Sequence, residues 1–196
     1  AKSENICGTI LPSVYEYSAS VVEKTYDGLT KAEIIFEQNK LFEIVSYDAE
    51  FSDKNVSNNK NVIISNIKIS NPNFILENKT LKGNIVQKII NVNIIGKDKI
   101  YNENNIIESE YEFENNSIFT EDIIYLEYTC LLKNINADIN KDFYINNLKI
   151  IGRDKYNYKI GKINLNKITV HKQKIQIEFY SIDKVYDSKE DAIVKY

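Results

Sequence analysis

The sequence predicts a mostly β protein, either a β-sandwich or two packed antiparallel sheets, with at most one or two short helices. The 196-residue chain contains 14 Tyr and 8 Phe, and it is rich in Ile, all residue types enriched in strands. Apolar and polar residues alternate along many segments, which is the period of a half-buried strand. Short stretches rich in Asn and Asp separate these segments and are typical of turns. Together these patterns favour packed antiparallel sheets.

The first predicted element is a β-hairpin over residues 13–37. Asp27-Gly28 lies between two apolar-polar segments, and both residue types tolerate the positive φ angles of a tight turn. The alternative for the end of this region is a helix over residues 32–38, where Ala32, Ile35 and Phe36 have helical spacing.

Period-two alternation continues through the middle of the chain. Residues 62–76 predict a strand that Asn71-Pro72-Asn73 interrupts, and residues 81–96 predict one long or bent strand. A charged turn is expected over residues 97–105, followed by a strand over residues 106–113.

The second half repeats the same pattern of strands and polar turns. Strands are predicted over residues 125–133, 143–153, 158–163 and 167–182. Turns are predicted over residues 134–142 and 154–157. A short helix that begins at Ser188 is a further expectation, with Ser188 as its N-cap.

The domain organisation follows from length and from the absence of a linker. Two Pro and six Gly give few breaks, so we expect an N-terminal arm over residues 1–12 and one β-rich domain over residues 13–196. Similar strand patterns suggest two sub-halves near residues 13–120 and 121–196.

Charge and hydropathy exclude two classes of partner. The formal net charge is −3, and Arg153 is the only arginine, whereas nucleic-acid binders cluster Lys and Arg against phosphates. No apolar run approaches the roughly 20 residues that span a bilayer, so we expect no membrane span.

Residues that usually perform chemistry are scarce. The chain has one His, no Met and no Trp, and no other His or Cys lies near His171 at metal-ligand spacing. We therefore expect a protein that is not an enzyme and that has no cofactor.

The two cysteines have different settings. Cys130 lies in an apolar run and is expected to be a buried thiol. Cys7 lies near the N-terminus and is a candidate for an intermolecular disulfide, with an inert thiol or a bridge to Cys130 as alternatives.

Two groups of residues are candidates for an interaction face. In a strand the carboxylates of Glu108, Glu110, Glu112 and Glu114 face one way, because they alternate with Ser109, Tyr111 and Phe113; the alternative is a solvated outer face. Tyr156 and Tyr158 flank Asn157 and could form an aromatic platform, or could equally be packing residues.

Asp138, Asn140 and Asp142 place oxygen atoms at every second residue, as calcium loops do. Counting from Asp138, the sixth and twelfth positions hold Phe143 and Lys149, so an EF-hand is excluded. These three residues remain candidate metal ligands, with an ordinary turn as the alternative.

The order of several segments resembles a known family. LFEIVSYDAE at residues 41–50, the alternating strand at 63–69, LKGNIVQKI at 81–89 and IESEYEF at 107–113 follow one another as strands. This order, over about residues 41–180, is similar to the SPOCS domain of spore-coat and spore-morphogenesis proteins. The resemblance implies a non-enzymatic protein that docks onto or builds a spore layer.

These observations lead to two functional expectations. The first is a structural, self-associating or scaffold-binding protein of a bacterial spore or cell-surface layer, a homo-oligomer or a partner of other layer proteins. It would be made in the cytoplasm without a visible signal peptide and would act at the spore surface or outside the cell. The alternative is a secreted β-sandwich module that binds carbohydrate or a host protein.

Overall fold

Strands account for nearly all regular structure in the computed structural model, which describes residues 9–114, 117–191 and 193–195. A mostly β fold is therefore confirmed. In chain order the strands are β1 Ser13–Val14, β2 Ala19–Val21, β3 Lys24–Thr25, β4 Ile34–Phe36, β5 Ile44–Phe51, β6 Ser57–Ile69, β7 Phe74–Ile75, β8 Lys79–Val86, β9 Lys88–Gly96, β10 Lys99–Ile100, β11 Ile106–Ile107, β12 Ser109–Phe113, β13 Tyr125–Leu132, β14 Asp138–Lys141, β15 Phe143–Ile151, β16 Tyr158–Leu165, β17 Ile168–His171, β18 Tyr180–Ile182 and β19 Ile193–Lys195.

The strands form small sheets of two to four members. The largest has the order β3-β8-β6-β5. Three sheets have three strands each, in the orders β12-β9-β16, β11-β13-β15 and β10-β17-β14. The remaining pairs are β1 with β7, β2 with β4, and β18 with β19. A short 3-10 turn at Lys155–Asn157 precedes β16.

The chain divides into two compact units. The first takes the chain up to Asn93 together with Tyr111–Tyr128 and Asn147–Asn164. The second takes Ile94–Glu110, Thr129–Asn146 and the chain from Leu165 onward. Each unit thus draws on segments from both sides of residue 120.

The core of the first unit is built on β6. Val62 and Ile64 alternate with exposed residues and are fully buried, as the period-two pattern predicts. Phe51 on β5 and Ile85 on β8 flank them in the same cluster. In the second unit the buried side chains include Phe143, Ile168 and Val170.

Asparagines occupy left-handed backbone positions within the strands. Asn59 and Asn66 on β6 and Asn140 on β14 have φ angles of 55°, 51° and 54°. Each lies where the register between neighbouring strands shifts, at a β-bulge. Asn adopts this conformation more easily than other non-glycine residues because its short polar side chain bonds locally.

The predicted hairpin at residues 13–37 forms differently from the expectation. β2 and β4 do pair antiparallel, with Ser20 opposite Ile35. However, Lys24–Thr25 leaves this pair and joins β8 in parallel, so Asp27-Gly28 is a turn between segments and not the tip of a tight hairpin. The alternative helix over residues 32–38 is wrong, because β4 occupies Ile34–Phe36.

Other boundaries also need correction. The predicted charged turn at residues 97–105 contains β10, and the predicted turn at 134–142 contains β14. The predicted strand over residues 167–182 is two short strands, β17 and β18, separated by an exposed segment. The helix expected from Ser188 is wrong for the described residues, because Ser188 has a φ of 62° and Ile193–Lys195 is strand β19.

Candidate functional site

A buried carboxylate organises one end of the first unit. Asp122 has a fully buried side chain, and its Oδ2 accepts hydrogen bonds from the hydroxyls of Tyr26 at 2.7 Å and Tyr158 at 2.6 Å. Lys54 Nζ lies 3.3 Å from Oδ1. The backbone N–H of Phe119 donates to the Tyr158 hydroxyl. The cluster thus joins segments that are far apart in sequence.

The charges in this cluster are compensated. Burial raises the pKa of Asp122, but hydrogen bonds from Tyr158, Tyr26 and Lys54 outweigh burial and hold this pKa below its ordinary value. Burial, and then the bond to Asp122, raises the pKa of each tyrosine well above the ordinary value. Asp122 is therefore an ionised acceptor between two neutral phenols, an arrangement that stabilises the fold.

A hollow of about 600 Å³ lies near this cluster in the same unit. Tyr156 lies at the margin of this hollow and is 72% exposed, and Lys155 Nζ lies 4.9 Å from the centroid of its ring. Asn157 is buried beneath, where its side chain accepts a hydrogen bond from Val56 N–H and donates one to Asn55.

Tyr158 does not share a surface with Tyr156. The sequence allows either an aromatic platform or packing residues at these positions, and Tyr158 is a packing residue, since it is 2% exposed and points into the core. The 3-10 turn that precedes β16 explains the difference, because its residues do not follow the alternation of a strand. Tyr156 alone remains a surface candidate.

The predicted carboxylate face lies on and beside β12. Glu108, Glu110 and Glu112 are exposed, while the residues between them are partly buried. Glu110 forms an ion pair with Lys97, and Glu114, the next carboxylate along, accepts hydrogen bonds from Asn91 and Asn164. Glu108 and Glu112 are therefore the members of the face that make no ion pair within the described residues.

The candidate metal ligands are tied to protein partners. Asp142 Oδ1 lies 2.7 Å from Lys167 Nζ, and Asp138 accepts a hydrogen bond from the N–H of Ile139. Asn140 occupies a bulge. His171, at the end of β17, lies 3.9 Å from Asp98. Within the described residues no three His, Cys, Asp or Glu side chains are grouped to hold a metal ion.

The structure bears on one of the two cysteines. Cys130 is a buried free thiol, as expected, and the hydroxyl of Ser109 lies 3.3 Å from its sulfur. Burial raises the pKa of this thiol. Cys7, the candidate for an intermolecular disulfide, lies outside the described residues.

A groove of about 1000 Å³ runs beside the outer edge of β5 in the first unit. Ala32 N–H and Thr30 C=O bond to Ala49 and Phe51, so the end of β5 is covered. The remainder, residues 44–48, has no strand on this side among the described residues. We call residues 44–48 the open edge.

The segment between β17 and β18 has the opposite character, because it is exposed and belongs to no sheet of the described residues. Every residue from 171 to 191 is exposed. Residues 172–179, which we call the C-terminal arm, make no backbone hydrogen bond within the described part of the chain. Large apolar side chains are exposed on the arm and just after it, at Ile175, Ile177, Phe179, Tyr180, Ile182, Val185 and Tyr186.

Neither the buried cluster nor the open edge is marked by a pattern in the sequence. The partners of Asp122 are 36 and 96 residues away, so no local spacing marks them. The open edge depends on which strand ends a sheet, which alternation does not specify. The alternation of Ile175, Ile177 and Phe179 predicts a strand, but these residues belong to no strand of the described chain.

Comparison with known proteins does not assign a family. No family model matches the chain, and no curated protein or solved structure matches it significantly. Within the described residues, no helix combines the length and the apolar character needed to cross a membrane.

Proposed function

We propose that this protein is a structural, self-associating component of a bacterial spore or cell-surface layer and is not an enzyme. The observation that carries the proposal is the run of seven exposed large apolar side chains between residues 175 and 186. Scattered apolar residues are normal on protein surfaces, but a concentration of them in one exposed segment favours an interaction surface.

Open strand edges support the same proposal. Sheets of two to four strands end on edges that another chain can extend through main-chain hydrogen bonds. Val45 on β5 and Ile139 on β14 also present apolar side chains to solvent. Apolar strand surfaces of this kind provide both affinity and register for association.

The spore or cell-surface setting rests on the order of strands between residues 41 and 180, which resembles the SPOCS domain. The described residues also offer no grouped metal ligands. The buried carboxylate of Asp122 is saturated by hydrogen bonds and suits a structural role.

The experiment is the mass of the purified chain as a function of concentration, by size-exclusion chromatography with multi-angle scattering, together with electron microscopy of the concentrated sample. We expect the mass to rise with concentration and ordered assemblies to appear. Cys7→Ser, measured with and without reductant, separates covalent from non-covalent association. A strict monomer at the highest attainable concentration contradicts the proposal.

The second candidate is a binding module for carbohydrate at the hollow beside Tyr156. An exposed ring next to Asn and Arg side chains suits a sugar, because the ring stacks on the apolar face and the polar groups bind hydroxyls. A glycan array probed with the wild-type chain and with Tyr156→Ala tests this role. Binding lost in Tyr156→Ala supports it, and no binding by the wild type contradicts it.

A further inference from the structure

We infer that the C-terminal arm of one copy of this chain pairs as an added strand with the open edge of β5 in a second copy. This inference rests on the proposed self-association and specifies the two surfaces that carry it. Each copy then offers one arm and one groove, so the contact is head-to-tail.

The arm has the alternation of a strand that lacks a sheet. In an extended conformation Ile175, Ile177 and Phe179 lie on one face, while Lys174 and Gln176 lie on the other. Both sets are exposed, and no backbone hydrogen bond within the described chain engages residues 172–179. Main-chain donors and acceptors on both sides of the arm are thus free to pair with another sheet.

The groove beside β5 offers matching backbone and side chains. The open edge has five residues, which extend at most about 16 Å at roughly 3.3 Å per residue, and the arm is long enough to cover them. The register of this edge with β6 shifts between Ile44 and Ser46 and between Ser46 and Asp48, so the arm pairs with the backbone on either side of these bulges. Leu29 and Val45 are exposed apolar residues in the groove lining. They can pack against the apolar face of the arm once its backbone pairs with β5.

Charge complementarity favours this groove as the binding site of the arm. Five carboxylates and two lysines line it, a net charge of −3, with the carboxylates on Glu23, Asp27, Glu33, Asp48 and Glu50. The arm carries Lys172 and Lys174 at its start and one carboxylate, Glu178. The basic start of the arm therefore meets an acidic rim, which favours encounter in this orientation.

Other sheet edges fit the arm less well. β16 ends its sheet but carries Lys159 and Lys162. Edge lysines repel a basic arm and are a common protection against strand addition. β12 is an acidic edge, but its Glu110 is already paired with Lys97.

The test uses two pairs of matched variants of the full chain. Ile177→Lys disrupts the apolar face of the arm, and Gln176→Lys adds the same charge on its other face. Val45→Lys blocks the groove, and Ile63→Lys places the same change at an exposed position on β6, outside the groove lining. All four positions are exposed, and circular dichroism confirms that each variant folds.

We expect Ile177→Lys and Val45→Lys to weaken self-association at least about tenfold in the apparent Kd, while the two controls match the wild type. A mixture of Ile177→Lys with Val45→Lys should form a dimer with one copy of each, because one intact arm and one intact groove remain. If Ile177→Lys associates as strongly as the wild type, or if the mixture forms no dimer, the inference is wrong while the proposed self-association stands. A strictly monomeric wild type overturns both.

A second measurement does not depend on assembly of the variants. A fluorescent peptide of residues 172–182 should bind the Ile177→Lys protein and should not bind the Val45→Lys protein, and a peptide with Ile175 and Ile177 replaced by Ser should bind neither. If Glu112→Lys abolishes binding and Val45→Lys does not, the arm docks on β12 and the assignment to β5 is wrong.

Discussion

The hydroxyl of Tyr158 donates a 2.6 Å hydrogen bond to Oδ2 of the buried Asp122, and the same hydroxyl accepts a bond from the N–H of Phe119. Tyr26 reaches the same carboxylate oxygen, and its ring packs edge-to-face on that of Tyr158 at 5.5 Å between centroids. Satisfying a charge in a buried site requires several donors, so removal of any one leaves a partner unpaired.

Tyr158→Phe should lower the free energy of unfolding by about 1.5–3 kcal/mol, because the ring packing is kept but a hydrogen bond to a charged group is lost. Tyr156→Phe, two residues earlier on an exposed ring, should change it by less than about 0.5 kcal/mol. Urea unfolding at neutral pH measures both. Equal effects of the two substitutions contradict a structural role for the Asp122 cluster.

Acid stability should depend on Asp122. Burial raises its pKa, but hydrogen bonds from Tyr158, Tyr26 and Lys54 lower it by more, so the folded value lies below the unfolded value of about 3.9. The stabilisation is therefore complete above the unfolded pKa and is lost as the pH falls through the folded pKa. Unfolding measured from about pH 6 downward should show a shallower acid decline for Asp122→Asn than for the wild type.

Asp122→Asn should also be less stable at pH 7, since the amide cannot accept both phenol hydrogen bonds as strongly. Asp187→Asn is the matched control, because Asp187 also has a lowered pKa but is exposed. An identical acid decline in the wild type and in Asp122→Asn contradicts the prediction.

Gly152 cannot carry a side chain without rearrangement. Its φ is 114°, and a Cβ atom there would overlap the carbonyl oxygen of Ile123. Gly152→Ala should lower the free energy of unfolding by roughly 2–4 kcal/mol, from backbone strain and overpacking together. Gly28→Ala isolates the backbone contribution, since φ is 79° but the nearest atom, on Phe119, lies at 3.6 Å. Gly28→Ala should lower the free energy of unfolding by about 1 kcal/mol. A larger cost at Gly28 than at Gly152 contradicts this account.

The thiol of Cys130 should resist modification in the folded protein. It is buried, and burial raises its pKa, so little thiolate is present or accessible at neutral pH. In a Cys7→Ser background, a thiol reagent should react slowly with the native chain and fully in denaturant. Rapid native reaction contradicts the buried position. The Cys130→Ser variant retains Cys7 and tests the intermolecular disulfide. If a disulfide-linked dimer of the wild type is lost in Cys130→Ser, a bridge through Cys7 is contradicted.

Strand positions were predictable wherever one face of a sheet is buried. The alternation at Val62 and Ile64 marks the inward face of β6 because side chains on a strand point alternately to its two faces. The break at Asn71-Pro72-Asn73 was also predictable, since proline removes a donor from the ladder and turn residues surround it.

The pairing of strands was not predictable, because it depends on residues that are distant in sequence. Lys24–Thr25 joins β8, about 60 residues later, and therefore leaves the hairpin that Asp27-Gly28 suggests. Tyr158 illustrates the same limit. Its pattern fitted both a surface platform and a packed ring, and only the position of Asp122 in space distinguishes the two.

The left-handed asparagines of β6 have a consequence for how this chain can aggregate. An Asn- and Ile-rich composition favours amyloid, in which flat identical strands stack in register. Asn59 and Asn66 kink the longest strand at two bulges, so β6 is not a flat template for such stacking. Replacing Asn59 and Asn66 with β-branched residues should straighten the strand and favour fibril formation.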